Sequence, residues 1–365
     1  MSRVFLYAYD KQNLGDDLFI HTICKRYPKT KFYLWSDKEN KEKLRRIKNL
    51  SVVDERGAFV RTLKKIRPSL VARYKRSLQR KSKAVVYIGG SIFMEYADWQ
   101  SSINWWGYLA QNFPMHCIGC NWGPYKTEGY LEGMSKVFEK MQDVSFRDSY
   151  SYDTFSKVRT VRIAPDILFS YPIPQSELQE KTLFVSLINC GKRGEGDHVQ
   201  LNVFEEDYLS NLSALLTGYL QNGYAITLAS FSKLEGDEEA ISMLRQKMGI
   251  PDTDVRVKNV FYDGTNEEEV LSAISASESV IATRFHAAIL AIAAEKPVLP
   301  IVYSDKTLHV LEDIGFSGKV LDLRKGDAIT FEEAQENFRT MTLPNAKYLA
   351  QESQKHFEKL DKILK

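Results

Sequence analysis

The residues best placed to do chemistry lie at Thr283-Arg284-Phe285-His286-Ala287. Arg284 ends the apolar run SVIATR, and His286 opens the stretch HAAILAIAAE, apolar on almost every side. A guanidinium fixed at a strand end presents a planar fork to a carboxylate or phosphate. A histidine at a helix N-terminus can shuttle protons near neutral pH; the competing reading is a satisfied core histidine. Arg147-Asp148 ends the run DVSF. Charges there need a partner or a ligand, so Arg147 is either half of a local ion pair or an anion contact. Asn189-Cys190-Gly191-Lys192-Arg193-Gly194 sets Lys192 and Arg193 between glycines after a strand, as a phosphate or carboxylate loop would; a solvated loop is the alternative.

Three further clusters suit a sugar. In Asn13-Leu14-Gly15-Asp16-Asp17 the glycine permits a tight turn, and Asp16 reads as an N-cap or, with Asp17, as a carboxylate for a sugar hydroxyl. Gly89-Gly90-Ser91 would let a ligand approach backbone amides, or is an ordinary strand-to-helix turn. It is not a G-x-G-x-x-G fingerprint, so no dinucleotide cofactor is expected. Gly119-Cys120-Asn121-Trp122-Gly123-Pro124 joins an amide and an indole at a strand end, suited to stacking on a sugar face or simply a turn beside a core tryptophan. Cys117 and Cys120 form a C-x2-C without a second ligand pair, so buried thiols are expected and no metal.

The elements that must position these loops alternate. Short apolar runs (VFLYAY, KFYLWS, AVVYIGG, MHCIGCN, DVSFRD) are separated by amphipathic stretches, which predicts a parallel sheet covered by helices on both faces. The proline-bearing run APDILFSYPIPQSE interrupts the rhythm, which restarts at TLFVSLIN, YAITLAS, DVRVKNV, SVIATR and VLPIVY. The expected architecture is α/β with two Rossmann-like lobes over 1–174 and 175–335, a C-terminal helix over 336–365, and a ligand cleft between lobes at the carboxyl ends of strands.

Composition bounds the function. The net charge of +3 and the lack of any nucleic-acid motif argue against a nucleic-acid binder. No apolar run reaches membrane-span length, and MSRVFLYAYDKQN lacks the pattern of a signal peptide, so a cytoplasmic location is expected. From Arg61 to Lys83 there are ten Lys/Arg and no acid. This is a solvated helical face, or a patch for anionic lipid or a polyanionic acceptor at the inner face of a membrane.

Taken in order, these motifs resemble the polysaccharide pyruvyl transferase family. The matching positions are Asn13 to Asp16, Gly89-Gly90, Gly119 to Pro124, Arg147 to Tyr150, Ala164-Pro165-Asp166 and Arg284 to Ala287. The likeness spans residues 4 to about 305, with Ser91 and Thr283 where the family often has Gly and Ser. It implies a GT-B-like fold and transfer of pyruvate from phosphoenolpyruvate to a sugar as a ketal. By the resemblance Arg147, Arg284 and His286 contact the donor and His286 is the acid/base residue. Asp16 or Asp17 would serve the acceptor, a sugar that is either free or lipid-linked. Phosphoenolpyruvate is a co-substrate and no cofactor is implied. The rival readings are a GT-B glycosyltransferase using a nucleotide sugar and a non-catalytic sugar-binding protein.

Overall fold

The computed structural model describes residues 2–192 and 200–365. The chain forms two compact units. The first comprises Met1–Lys11, Asp16–Ile167 and Glu352–Lys365, and the second Gln12–Gly15 and Leu168–Gln351.

The first unit is built on seven parallel strands: β1 Ser2–Ala8, β2 Thr30–Ser36, β3 Leu50–Asp54, β4 Ala84–Ile88, β5 Met115–Cys120, β6 Asp143–Phe146 and β7 Val161–Ile163. Their order is β3-β2-β1-β4-β5-β6-β7. The connecting helices are α1 Leu14–Arg26, α2 Lys38–Lys43, α3 Ala58–Ile66, α4 Ser69–Arg80, α5 Trp99–Asn112, α6 Glu128–Phe138 and α7 Ser149–Thr154. Every residue of β5 is buried, as expected for a central strand covered on both faces. On one side of the sheet Phe93, Trp106, Phe138 and Phe146 pack as an aromatic core.

The second unit has six parallel strands: β8 Thr182–Ser186, β9 Ala225–Ser230, β10 Val257–Phe261, β11 Ser279–Ala282, β12 Val298–Val302 and β13 Leu321–Asp322. Their order is β10-β9-β8-β11-β12-β13. Its helices are α8 Glu205–Gln221, α9 Asp237–Lys247, α10 Glu267–Ala276, α11 Phe285–Ala293, α12 Asp305–Asp313, α13 Phe331–Thr340 and α14 Ala346–Ser353. Leu183, Val185, Leu212, Leu216, Ile281 and Leu299 fill one face of this sheet.

In each sheet the strand order reverses once, between β1 and β4 in the first and between β8 and β11 in the second. Loops leaving the carboxyl ends of such strands splay apart and leave room for ligands. The expected motif loops follow these very strands: Gly89-Gly90 follows β4, Asn189 to Lys192 follow β8, and Arg284 to Ala287 follow β11.

The boundaries differ from the expected ones. The first unit breaks off at Ile167, within the proline-bearing run, rather than at 174. The tail is not one helix over 336–365: α13 and most of α14 belong to the second unit. The last segment, with α15 Glu358–Leu364, belongs to the first. There Phe357 and Leu360 are fully buried, and Asp361 pairs with Arg26 at 2.7 Å and accepts from the Tyr27 hydroxyl at 2.7 Å. Each such apolar side chain contributes about 1.5–3 kcal/mol on burial, which a loose charged helix would forgo. Among the described residues no helix is long and apolar enough to cross a membrane.

Candidate functional site

In the second unit the residue ending the β11 loop is Arg284, the N-cap of α11, which is almost entirely buried. A buried guanidinium requires carboxylate partners, and it has two. Nε donates to Oδ2 of Asp237 at 2.9 Å, Nη2 donates to Oδ1 of the same residue, and Nη1 donates to Oε2 of Glu235. Burial works against the cation, yet Asp237 and Glu235 outweigh it and push the Arg284 pKa up. Asp237 is itself fixed, because its Oδ2 also accepts from the amides of Phe231 at 2.9 Å and Ser232 at 3.0 Å. Glu235 is the more exposed partner, and its Oε1 accepts from Asn13 Nδ2 at 3.0 Å. Arg284 is therefore no open fork: one cation faces two carboxylates, and an incoming anion has to exchange with one of them.

Asn13 belongs to a short segment stitched to this unit. The Leu14 amide donates to the Phe231 carbonyl at 3.0 Å, Gln12 Nε2 donates to the Tyr262 carbonyl at 3.3 Å, and the Gly15 amide donates to Asn13 Oδ1 at 3.2 Å. Gly15 also abuts His286: a Cβ placed there would fall onto Nδ1 and Cγ of the imidazole. His286 lies in the first turn of α11, half-buried, with its ring edge-on to Phe285 at 5.0 Å between centroids. A half-buried imidazole at a helix start can reach solvent or a ligand, unlike the core histidine of the bland alternative.

Lys192 meets the same corner from β8. Its Nζ pairs with Glu239 at 2.7 Å, both side chains being about half exposed, so the pair stabilises by at most about 1 kcal/mol. Its methylenes close on Gly236, between Glu235 and Asp237, where a Cβ would stand 2.7 Å from Lys192 Cδ. The adjoining Gly191 amide donates to Glu205 Oε2 at 2.8 Å. Arg193 lies outside the described residues.

The first unit gathers a second group. Arg147, just after β6, is buried; Nη1 pairs with Asp166 Oδ2 at 2.8 Å and Nη2 donates to Asn121 Oδ1 at 3.0 Å. The guanidinium presses on Gly90, where a Cβ would stand 2.5 Å from Nη2, so any larger residue would displace it. The Asn121 amide donates to the Gly90 carbonyl at 2.9 Å, joining the two loops. Asn121 Nδ2 is a buried donor with no protein acceptor among the described residues. Such a group is costly unless something else satisfies it. Gly89 has φ +154° and lies about 4.0 Å, measured from its would-be Cβ, from Asp16 Oδ1.

Three expectations need correction. Asp16 is not the N-cap of α1: the helix begins at Leu14, and Asp16 and Asp17 sit in its first turn, where the macrodipole favours their charge. The ion pair of Arg147 reaches Asp166 at 2.8 Å, while its neighbour Asp148 caps α7 and accepts from the Ser151 amide and hydroxyl at 2.8 and 2.9 Å. Trp122 is not a stacking platform for sugar: it is buried, lies parallel to Tyr130 at 5.0 Å, and is met edge-on by Phe138 and Phe155. Its ring belongs to the aromatic core and leaves no face for a ligand.

Glu235 and Asp237 escape a reading of the sequence alone. Asp237 looks like one of three acids in the first turn of α9, with Glu238 and Glu239, where acids are common for helix-dipole reasons. Only its contact with a residue 47 positions away sets it apart.

The family profile described as polysaccharide pyruvyl transferase matches residues 13–305. The amylovoran biosynthesis protein AmsJ of Erwinia amylovora is 20% identical over 260 residues, covering 66% of this chain and 61% of that protein. The chain thus spans about three fifths of the length of the curated relative it matches. Among solved structures, UDP-GlcNAc 2-epimerase from Neisseria meningitidis, bound to UDP-GlcNAc, superposes with a TM-score of 0.60 at 11% identity, covering 99% of this chain and 100% of that one. Anabaena Alr3699/HepE in complex with UDP-glucose gives 0.57 at 11% identity, covering 99% and 96%. At that identity the likeness shows the fold, which is GT-B-like. The profile match takes in the loops after β4, β8 and β11 together with Arg147 and Asp166, and it shows that the chain belongs to the polysaccharide pyruvyl transferase family.

Proposed function

We propose that the protein transfers a pyruvyl group from phosphoenolpyruvate to a sugar of a cell-surface polysaccharide or its precursor, forming a pyruvate ketal. The observation that carries this reading is the pairing at the start of α11: a half-buried His286 two residues beyond an arginine held by carboxylates. The family membership supports it.

Phosphoenolpyruvate carries roughly three negative charges on its phosphate and carboxylate. Arg284 and Arg147, by the family resemblance, and Lys192, by its place in the loop after β8, are the cations assigned to it. The Gly90 amide and the Asn121 side chain supply neutral donors. His286, protonated, gives its proton to the methylene carbon, which becomes the methyl group. The adjacent carbon becomes an oxocarbenium-like centre and is attacked by one sugar hydroxyl, whose proton passes to Asp16 or Asp17. A second hydroxyl then bonds to the same carbon, and the carbon–oxygen bond to phosphate breaks. Phosphate leaves with the electron pair and takes up the proton held by Asp16 or Asp17, and the second hydroxyl's proton returns to His286. Phosphoenolpyruvate and a diol thus yield a ketal and inorganic phosphate, with no further cofactor in the balance.

The test is thermal unfolding with phosphoenolpyruvate, and in parallel with uridine and guanosine diphosphates, on wild type and Arg284→Ala. A ligand at 100 times its Kd adds about 2.7 kcal/mol of stability. Stabilisation by phosphoenolpyruvate that disappears in the variant is the expected result, followed by acceptor-dependent phosphate release that falls 10²–10⁴-fold in His286→Ala. Stabilisation by a nucleotide alone would instead assign a glycosyltransferase, the chemistry suggested by the UDP-sugars named with the similar structures.

A further inference from the structure

We infer that the helix pair α3–α4 is a docking surface for an anionic membrane. The inference rests on these two helices and not on the pyruvyl-transfer reading.

The two helices are joined at Arg67-Pro68 and turn one side inward, burying Val60 and Gln79, while Phe59 stays exposed and meets Tyr74 edge-on at 5.2 Å between centroids. Their outer side is cationic. Of the ten Lys/Arg between Arg61 and Lys83, three are engaged: Lys75 lies over Tyr7 and Trp35, Arg76 over Tyr108, and Lys83 donates to the Ile363 carbonyl. The others, among them Arg61, Lys64, Lys65 and Arg67, are exposed, and no carboxylate pairs with them among the described residues. Seven such cations without a counter-charge repel one another. This is a standing cost unless an anionic surface meets them.

Charge alone would fit any polyanion. The apolar residues select the membrane. Ile66 is 70% exposed and Phe59 58%, and they lie seven positions, or two turns, apart on one face of α3. An aliphatic side chain gains nothing from a solvated acidic polysaccharide. Inserted at the boundary of headgroups and acyl chains, with Arg61, Lys64 and Lys65 on another flank of α3 to meet the headgroups, it follows the pattern of an interfacial amphipathic helix.

The experiment is co-sedimentation of the full chain with vesicles of phosphatidylcholine alone and with about a third phosphatidylglycerol, at low and raised salt. Binding only to the anionic vesicles, weakened by salt, is expected. Lys64→Gln with Lys65→Gln should lower partitioning about fivefold per cation. Ile66→Ser should lower it roughly threefold to tenfold. Both variants change exposed residues, so their Tm should match wild type. Absence of binding to anionic vesicles at low salt overturns the inference. So does binding that Ile66→Ser leaves unchanged and that soluble dextran sulfate matches in affinity, which would assign the surface to a polyanionic saccharide.

Discussion

The imidazole of His286 rests on the backbone of Gly15, so closely that a Cβ on Gly15 would overlap Nδ1 and Cγ. Gly15 lies in the first turn of a helix and has no positive φ, so its backbone does not call for glycine. In a helix interior alanine is favoured over glycine by about 1 kcal/mol. Space for the histidine ring is what requires glycine here. Gly15→Ala should therefore swing the imidazole away while leaving stability within about 1 kcal/mol of wild type, because the gain in propensity offsets the rearrangement. Phosphate release should fall on the order of 10²-fold or more, as expected when a proton donor is misplaced. The ring signals of His286 in NMR should move whether or not the substrate is identified. Unmoved ring signals with a wild-type rate would refute the relationship.

Glu235 and Asp237 share Arg284 unequally. Asp237 is fully buried and accepts from two amides besides the guanidinium, so it cannot leave. Glu235 is partly exposed and can exchange with an incoming anion. Glu235→Gln keeps its size and an acceptor for Asn13 but removes the competing charge. The KM for phosphoenolpyruvate should drop severalfold, up to about tenfold for 1.4 kcal/mol of relieved competition, with kcat changed less. A raised KM would mean that Glu235 aligns Arg284 instead of shielding it. Steady-state kinetics at fixed ionic strength separate the two outcomes.

The strands were readable because their burial is continuous. AVVYI and VLPIV are apolar at every step, the mark of parallel strands covered on both faces. The motif loops were readable for a related reason: charge at the end of such a run is expensive unless used, as at Arg147 and Arg284. Short edge strands were not readable. In β7 the half-buried Val161 and Arg162 and the exposed Ile163 show no apolar run, and β13 has only two residues. Helix α13 carries a legible start signal, the capping box formed by Thr330 and Glu333. Trp122 was ambiguous in principle, since a sugar platform and a core ring have the same composition and only the packing of Tyr130, Phe138 and Phe155 decides. Asp166 was visible in its motif, whereas its pairing with Arg147 depends on tertiary structure.

The tail supplies a prediction about acid. His356 is fully buried in the first unit. Its Nε2–H donates to the Pro165 carbonyl at 2.9 Å, which leaves Nδ1 to accept from the Ser145 hydroxyl at 2.7 Å. The ring is thus neutral and one residue from Asp166, the partner of Arg147. Burial foremost, then the nearby Arg162 charge, hold its pKa at about 3, and burial likewise lowers His116 to about 4. Both depressed values make the folded state refuse a proton that the unfolded chain takes up near pH 6.5. Their stabilisation is complete above pH 6.5 and is lost as pH falls toward 4 and 3. Between pH 6 and 5 wild type should lose stability with a slope approaching two protons, roughly 2.7 kcal/mol per pH unit. In His356→Gln, which keeps a donor and an acceptor, the slope should fall to about one proton, roughly 1.4 kcal/mol per unit. Urea unfolding at a series of pH values measures it, and identical slopes in the two proteins would show that the buried ring does not govern acid sensitivity.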